Sequence, residues 1–454
     1  MPSQFHLYNG LIIEPDSTKI QVVLNSNHLI MTSWNQNKEV VQTPDTVLRL
    51  FAVAAGLSVA NIYCAQPILD SIARSFGFNE DSAGSIITVT QAGYALGLIF
   101  VVPLGDLMNR RNLIVRQLFL SAIALGVIGL AHTKGLLLSG LFFVGLLAVV
   151  VQVLVAFAST LAAPEKRGSA VGTVTSGVVL GILLARTVAG VLSDLGSWRL
   201  VYLTSSVFML CLAYALQRTL PDVSGAARTS YPQLLLSTFA LLRDIPVLRI
   251  RAGIAFFLFA AFSSLWTSMV LPLSTALHPM SHTVIGSIGL AGVAGAIAAG
   301  RAGRWADGGH GQFTTGIALG LLIISWACIA SLPSSFLLFL LGVVLLDFAV
   351  QAVHVTNQSV IFAVRPEAKS RLVAVYMVFY SLGSGTGAWA STKAYAAYRW
   401  NGVSLIGASF SVAALVIWTL SRYFFDGISS HHRTWTLGGA QASTGPERKC
   451  GGTR

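Results

Sequence analysis

The chain has 454 residues, of which 54% are hydrophobic and only 10% charged, and its mean hydropathy is +0.72. Soluble proteins carry about 25% charged residues, so an ordinary soluble fold is excluded and a multi-pass membrane protein is indicated. The net charge of +12 would suit nucleic acid only if the basic residues formed a face or stripe, and their positions exclude that. Cys64, Cys211, Cys328 and Cys450 are widely spaced and three lie in apolar stretches, so neither a disulfide framework nor a metal site is indicated.

Residues 1–45 form a polar extension whose apolar patches, Leu11 to Ile13 and Ile20 to Leu24, are too short to span a bilayer. They do not read as a signal peptide, and Met31 is a candidate alternative start. Apolar runs follow at 47–69, 83–104, 112–131, 135–162, 169–192 and 199–216, each close to the roughly 20 residues that cross a hydrocarbon core. The runs are continuous and lack the alternation of a membrane barrel, so they predict helices. A charged linker over 218–250 separates this first half, 46–217, from a second half, 251–425. Within the linker, Tyr231-Pro232 precedes a leucine-rich run closed by Arg243 and Asp244, which predicts a short amphipathic helix rather than a further crossing. Six more runs follow at 251–272, 283–302, 313–331, 335–363, 370–395 and 401–421. Residues 426–454, rich in Gly, Ser, Thr, His and Arg from Ser429 onward, are expected to be a disordered tail. The fold class is therefore an all-α membrane protein of twelve transmembrane helices in two six-helix repeats.

With the N-terminus placed inside, 23 of the 29 Lys and Arg fall on inner loops or tails and 5 on outer loops. This is the positive-inside asymmetry, and it predicts a bacterial inner (plasma) membrane protein with both termini cytoplasmic. The positive charge then faces anionic membrane lipid and not nucleic acid. In this assignment Arg251, at the edge of the linker, is counted with the inner side and Arg186 is the one basic residue inside a span.

An internal repeat is legible in three landmarks. Asp106, in Pro103-Leu104-Gly105-Asp106-Leu107-Met108-Asn109-Arg110-Arg111, lies 201 residues before Asp307, in Gly303-Arg304-Trp305-Ala306-Asp307. Pro164-Glu165 lies 202 residues before Pro366-Glu367, and Trp198 lies 202 before Trp400. Six spans being an even number, the two halves enter from the same side, as a parallel repeat.

On these residues the chain resembles the major facilitator superfamily over residues 46 to 425, and within it the bacterial twelve-helix efflux type similar to arabinose-efflux permeases and drug antiporters. The family's loop hallmark is matched by Leu104, Gly105, Asp106, Arg110 and Arg111, whereas Val102, Leu107 and Asn109 depart from it; the second copy keeps Gly303, Ala306 and Asp307. The resemblance implies a gating role for Asp106, Arg110, Arg111 and Asp307, through a latch between the halves on the cytoplasmic side. The family's fourth-helix Arg falls near Leu141, where this chain has no charge, and Gly181-Ile182-Leu183-Leu184 stands in place of the antiporter Gly-Pro signature.

Several side chains could carry the chemistry. Asp347 is the one carboxylate deep in a span, which costs about 2.5 to 3.5 kcal/mol on insertion scales, so it should face the bundle interior and take part in proton coupling. Helical spacing puts Gln351, His354 and Gln358 on its stripe, with Asn357 beside it, as the wall of a wet cavity in which His354 extends a proton relay. The alternative is a buried hydrogen-bonded network that only fixes packing. Arg186 could attract an anionic group of the substrate, pair with Asp347, or snorkel outward near Asp194. Asn61, Tyr63 and Gln66 on the first span are further substrate contacts, with helix-to-helix hydrogen bonds as their alternative; Trp266, Gln91 and Tyr94 are weaker candidates. Small residues at Gly177, Gly181, Ala185 and Ala189 of span five, and at Ala291, Gly295, Ala299 and Gly303 of span eight, are expected to face each other across a sliding seam, or else to pack within one half.

No phosphate-binding loop or catalytic triad pattern is present, so no cofactor and no enzymatic reaction are expected. The expected function is secondary transport of a small organic solute by a monomer, as efflux against proton entry. Proton-coupled uptake is the first alternative, a non-transporting sensor or degenerate transporter the second, and an intramembrane enzyme more remote.

Overall fold

The computed structural model describes residues 6–8, 11–13, 23–25, 28–30, 45–163, 166–221, 230–275, 279–365 and 369–439. Two compact units divide at Gln42. In the first, β1 (His6–Tyr8) pairs antiparallel with β2 (Leu11–Ile13), and β3 (Val23–Asn25) with β4 (His28–Ile30). The patch at Leu11 to Ile13 is thus a hairpin strand of three residues.

The second unit is helical. Its first half comprises α1 (Asp45–Tyr63), α2 (Leu69–Phe76), α3 (Ser85–Phe100), α4 (Leu104–Leu107), α5 (Arg110–Gly129), α6 (Lys134–Ala148), α7 (Val150–Leu161), α8 (Arg167–Leu195) and α9 (Trp198–Thr219). After α10 (Tyr231–Asp244), the second half comprises α11 (Pro246–Ser268), α12 (Val270–Thr275), α13 (His282–Ser287), α14 (Gly292–Trp305), α15 (Gly311–Ile329), α16 (Phe336–Val364) and α17 (Lys369–Gly439). A 3-10 turn, Ile288–Ala291, joins α13 to α14.

Eleven stretches among the described residues are long and apolar enough to cross a membrane. The last, Arg371–Tyr423, has 53 residues, or about 80 Å at 1.5 Å per residue, against a hydrocarbon core of about 30 Å. It breaks at Tyr398 and Arg399, where φ of Arg399 is 51°, and so provides the eleventh and twelfth crossings. Phe119, Ile123, Phe143, Leu184, Phe208 and Leu337 are exposed, which is costly in water and expected against lipid.

Side-chain caps start several helices: Asn109 accepts from the amide of Asn112, Thr133 from Leu136, Ser281 from Val284 and Ser335 from Leu338. The linker helix α10 opens with a capping box, Ser230 with Gln233, and has 14 residues, about 21 Å, too short to cross. The helix after span twelve runs to Gly439, past the expected start of the tail at 426, because no proline or glycine pair interrupts it until Gly438-Gly439. Residues 440–454 lie outside the described residues, as do the repeated Pro-Glu loops at 164–165 and 366–368.

Two sets of loops lie at opposite ends. Arg110 bonds Thr160 and Arg111 bonds the carbonyl of Gln217, which gathers loops at the Asp106 end. Lys134 donates to Gly77 O, Trp198 to Ser75 and Arg199 to Ala131 O, which gathers loops at the other, the His282 end.

Candidate solute and proton site

The centre of the bundle holds a cluster drawn from both halves. Arg186 of α8 is 2% exposed, and its Nε donates to Gln66 Oε1 at 2.9 Å, just beyond the end of α1. The guanidinium carbon stands 3.7 Å from the ring centroid of Trp266, 5.3 Å from Tyr63 and 5.6 Å from Phe262. Its Nη2 is buried with no hydrogen-bond partner. Trp266 Nε1 in turn donates to Asp347 Oδ1 at 3.3 Å, and Asp347 is 4% exposed. No direct ion pair joins Arg186 to Asp347 among the described residues; the indole stands as the bridge.

Span eight is built to let this happen. A methyl at Gly289 would lie 3.1 Å from Arg186 Cδ, and one at Gly292 would lie 3.3 Å from Asp347 Oδ2. The 3-10 turn, which contains Gly289 and is capped by Gly292, breaks the regular helix beside both charged groups, where these glycines permit close approach.

Toward the Asp106 end, Tyr63 and Tyr380 share a hydroxyl–hydroxyl hydrogen bond across the halves, and the Tyr380 ring lies 4.0 Å from Phe259. His354 Nδ1 is 3.0 Å from the Tyr376 hydroxyl and its Nε2 is 3.3 Å from the Gln358 amide. That geometry suits a neutral imidazole donating from Nδ1 and accepting at Nε2. Gln351 and Gln358 are half-buried on the expected stripe with His354. His354 lies seven residues from Asp347, about 10 Å along the helix, so the structure does not bring the two into contact.

Other candidates are placed differently. Asn357 accepts from Arg251 at 2.9 Å, and Arg251 also donates to Thr315 at 3.0 Å; all three are buried within the second half. Arg251, counted with the inner loops by charge, is a buried residue of α11, because Pro246 starts that helix earlier than the apolar run suggested. Arg186 is consequently not the one basic residue within the spans. Nor does Arg186 snorkel toward Asp194, whose carboxylate instead takes both amide and side-chain donors from His282 and Thr283. Asn61 is buried with its Oδ1 unpaired. Gln91 accepts from Ser381 at 3.0 Å across the halves, and Tyr94 is buried.

Spans five and eight do meet at the seam, but not through the glycines singled out in the sequence. Methyls at Gly177 and Gly181 would overlap backbone of Ala52 and Gly56, and one at Gly295 would meet Gln351 and Asp347, so these glycines pack within their own halves. The close passage between halves uses Gly190 and Gly286 instead: methyls there would overlap the carbonyls of His282 and Arg186. Thr187 donates to Gly286 O, Thr88 to Gly385 O, and Arg399 pairs with Glu80 at 2.8 Å, all toward the His282 end. At the Asp106 end, methyls at Gly168, Gly172 and Gly300 would meet nothing within 4 Å. Spans five and eight are sealed at one end and splayed at the other.

Comparison with known proteins bears on the same architecture. The model of the Major Facilitator Superfamily matches residues 51–311, more than half the chain. The chain belongs to this superfamily. It is 45% identical over 369 residues to the uncharacterized transporter YgaY of Escherichia coli O157:H7, covering 81% of this chain and 94% of that one. It is 24% identical over 415 residues to a probable sugar efflux transporter of Pasteurella multocida (strain Pm70), covering 88% and 96%. Among solved structures, a bacterial homolog to the human lysosomal transporter Spinster, in an inward-facing and occupied conformation, superimposes with TM-score 0.68 at 16% identity, covering 84% and 97%.

In this superfamily member the hallmark residues bond locally. Arg110 donates to Gly105 O, Thr160 and Asp106, and Arg111 to Gln217 O, all within the first half. Asp106 has a side chain 53% exposed. The side chain of Asp307 lies outside the described residues. At this end α10 ties the halves, through Tyr231 to Phe100 O and through Ser237 to Arg371.

The weight of Trp266, Phe262 and Phe259 escaped the sequence, since aromatics at three- and four-residue spacing read as ordinary core. Their signal was position, one face of span seven opposite the spans that carry Arg186 and Asp347. The His282 cluster had none, because Asp70, Asp194 and His282 are far apart in the chain.

Proposed function

We propose that this protein moves a small organic solute across the bacterial inner membrane by alternating access, with Asp347 binding the coupling proton. One observation carries the proposal: a buried carboxylate, held by Trp266 and facing Arg186, at the meeting of the two halves. A carboxylate in that position is costly unless its charge state changes during the cycle. The Asp106 end faces the cytoplasm, with both termini, by the bias of basic residues. On that assignment the described state is open inward, sealed near His282. Arg186, Gln66, Asn61 and Gln351 line the solute's place, Gln358 and His354 continue the wall, Asn357 braces it through Arg251, and Asp106, Arg110, Arg111 and Asp307 gate the cytoplasmic side.

Export in exchange for an entering proton is the sense that the name of the Pasteurella relative supports. Cotransport is the second reading, favoured by a cation, Arg186, set beside the proton site. The test is purified protein in vesicles with a pH-sensitive dye inside. Solute addition should move protons, and Asp347→Asn should abolish that movement while leaving passive solute exchange. Proton movement unchanged in that variant would remove Asp347 from the mechanism, and ligand binding without any flux would make the protein a sensor.

A further inference from the structure

The guanidinium of Arg186 is almost wholly buried, yet its Nη2 donates to nothing, whereas buried polar groups in native proteins nearly always find a partner. Trp266, Tyr63 and Phe262 lie within cation–π range, and Gln66 takes Nε. What is left is a donor of the kind that recognises carboxylates, surrounded by flat apolar rings.

We infer that the cargo is a small organic anion with a flat apolar body, its carboxylate on Arg186 Nη2 and its body against Tyr63, Phe262 and Trp266, bound together with the proton on Asp347. The inference rests on the transport reading and refines its substrate and its coupling. Charge counting supplies the coupling. Trp266 from α11 donates to Asp347, glycines of span eight pack against it, and Arg186 from α8 stands across the indole; Tyr63 from α1 and Tyr380 from α17 lie on the Arg186 side, and His354 is about 10 Å along its own helix. Arg251 lies further along α11, four turns from Trp266, engaged with Asn357 and Thr315. Ionised Asp347 balances Arg186; protonated Asp347 leaves a net positive site in a medium that penalises unbalanced charge. An anion restores the balance, so anion and proton each strengthen the other's binding. A cationic solute would do the reverse and compete with the proton. Co-binding sends proton and anion the same way across the membrane, which favours cotransport over exchange.

The probes are benzoate, benzyl alcohol and benzylammonium, which share a ring and differ in charge, applied to the full chain in lipid nanodiscs. Benzoate should raise the melting temperature and draw protons from a weakly buffered solution, and the other two should do neither. Asp347→Asn should bind benzoate without proton uptake. Arg186→Gln should weaken benzoate by about tenfold or more, as for a lost hydrogen bond to a charged group. Should that variant not fold, the comparison of proton uptake between the parent and Asp347→Asn still decides. Binding of benzylammonium with proton release, benzoate binding without proton uptake in the parent, or failure of benzoate to bind would each overturn the inference. Benzoate counterflow in vesicles separates the two levels: binding with proton uptake but no flux keeps the site and rejects transport, and flux of a neutral or cationic solute instead keeps transport and rejects the anion.

Discussion

Gly190 offers a direct way to move the conformational equilibrium without touching the central cluster. Its Cα faces the start of α13 so closely that an alanine methyl would overlap the carbonyl oxygen of His282 and come within 2.9 Å of the Thr283 amide. Both obstacles are backbone and cannot rotate away. Overpacking of this kind costs about 1 to 3 kcal/mol, and here the cost falls only on the state sealed at the His282 end. Once the halves part there, the methyl meets nothing and alanine is the better helix former. The equilibrium should therefore shift by about 5- to 150-fold toward opening at the His282 end. Gly172, on the same helix, has open space around its position and serves as the control. Spin labels at Leu195 and Leu337, which are 75% and 79% exposed near the His282 end on opposite halves, report the separation by pulsed electron resonance. Gly190→Ala should lengthen the distance and Gly172→Ala should leave it alone. An unchanged distribution for Gly190→Ala, or equal shifts for both variants, would refute the sealing role assigned to this contact.

The remaining expectations concern separate parts of the molecule. His282 has Asp194 at 3.0 Å from Nδ1 and Asp70 at 3.0 Å from Nε2, so the ring donates to both carboxylates at once only when doubly protonated. The same pair of labels should show a tight seal at low pH that loosens as the pH rises and the ring gives up its second proton, and His282→Gln should flatten this dependence. Arg251→Leu should destabilise the second half by about 1.5 to 3 kcal/mol per lost charged hydrogen bond, read as a lowered melting temperature, whereas an exposed position such as Arg116→Leu should leave it nearly unchanged. Tyr380→Phe removes the hydroxyl contact to Tyr63 across the halves and should cost the sealed state about 1 kcal/mol, measured by the same distance distribution.

Much of this was legible in the chain itself. Runs of apolar residues at spanning length determined the crossings, and landmarks 201 or 202 residues apart determined the duplication, because a bilayer leaves the backbone few choices and a repeat preserves its own spacing. Asp347 and Arg186 stood out by the same logic, as charges where charges are costly. Tertiary structure decided what these groups touch. It put Trp266 between them, turned Asn357 toward Arg251 and away from the stripe, and gave the seam to Gly190 and Gly286 while Gly177 and Gly181 packed on α1. Hydropathy registers that a residue is buried; which of several buried faces it occupies depends on helix rotation, set by close packing against neighbours hundreds of residues away.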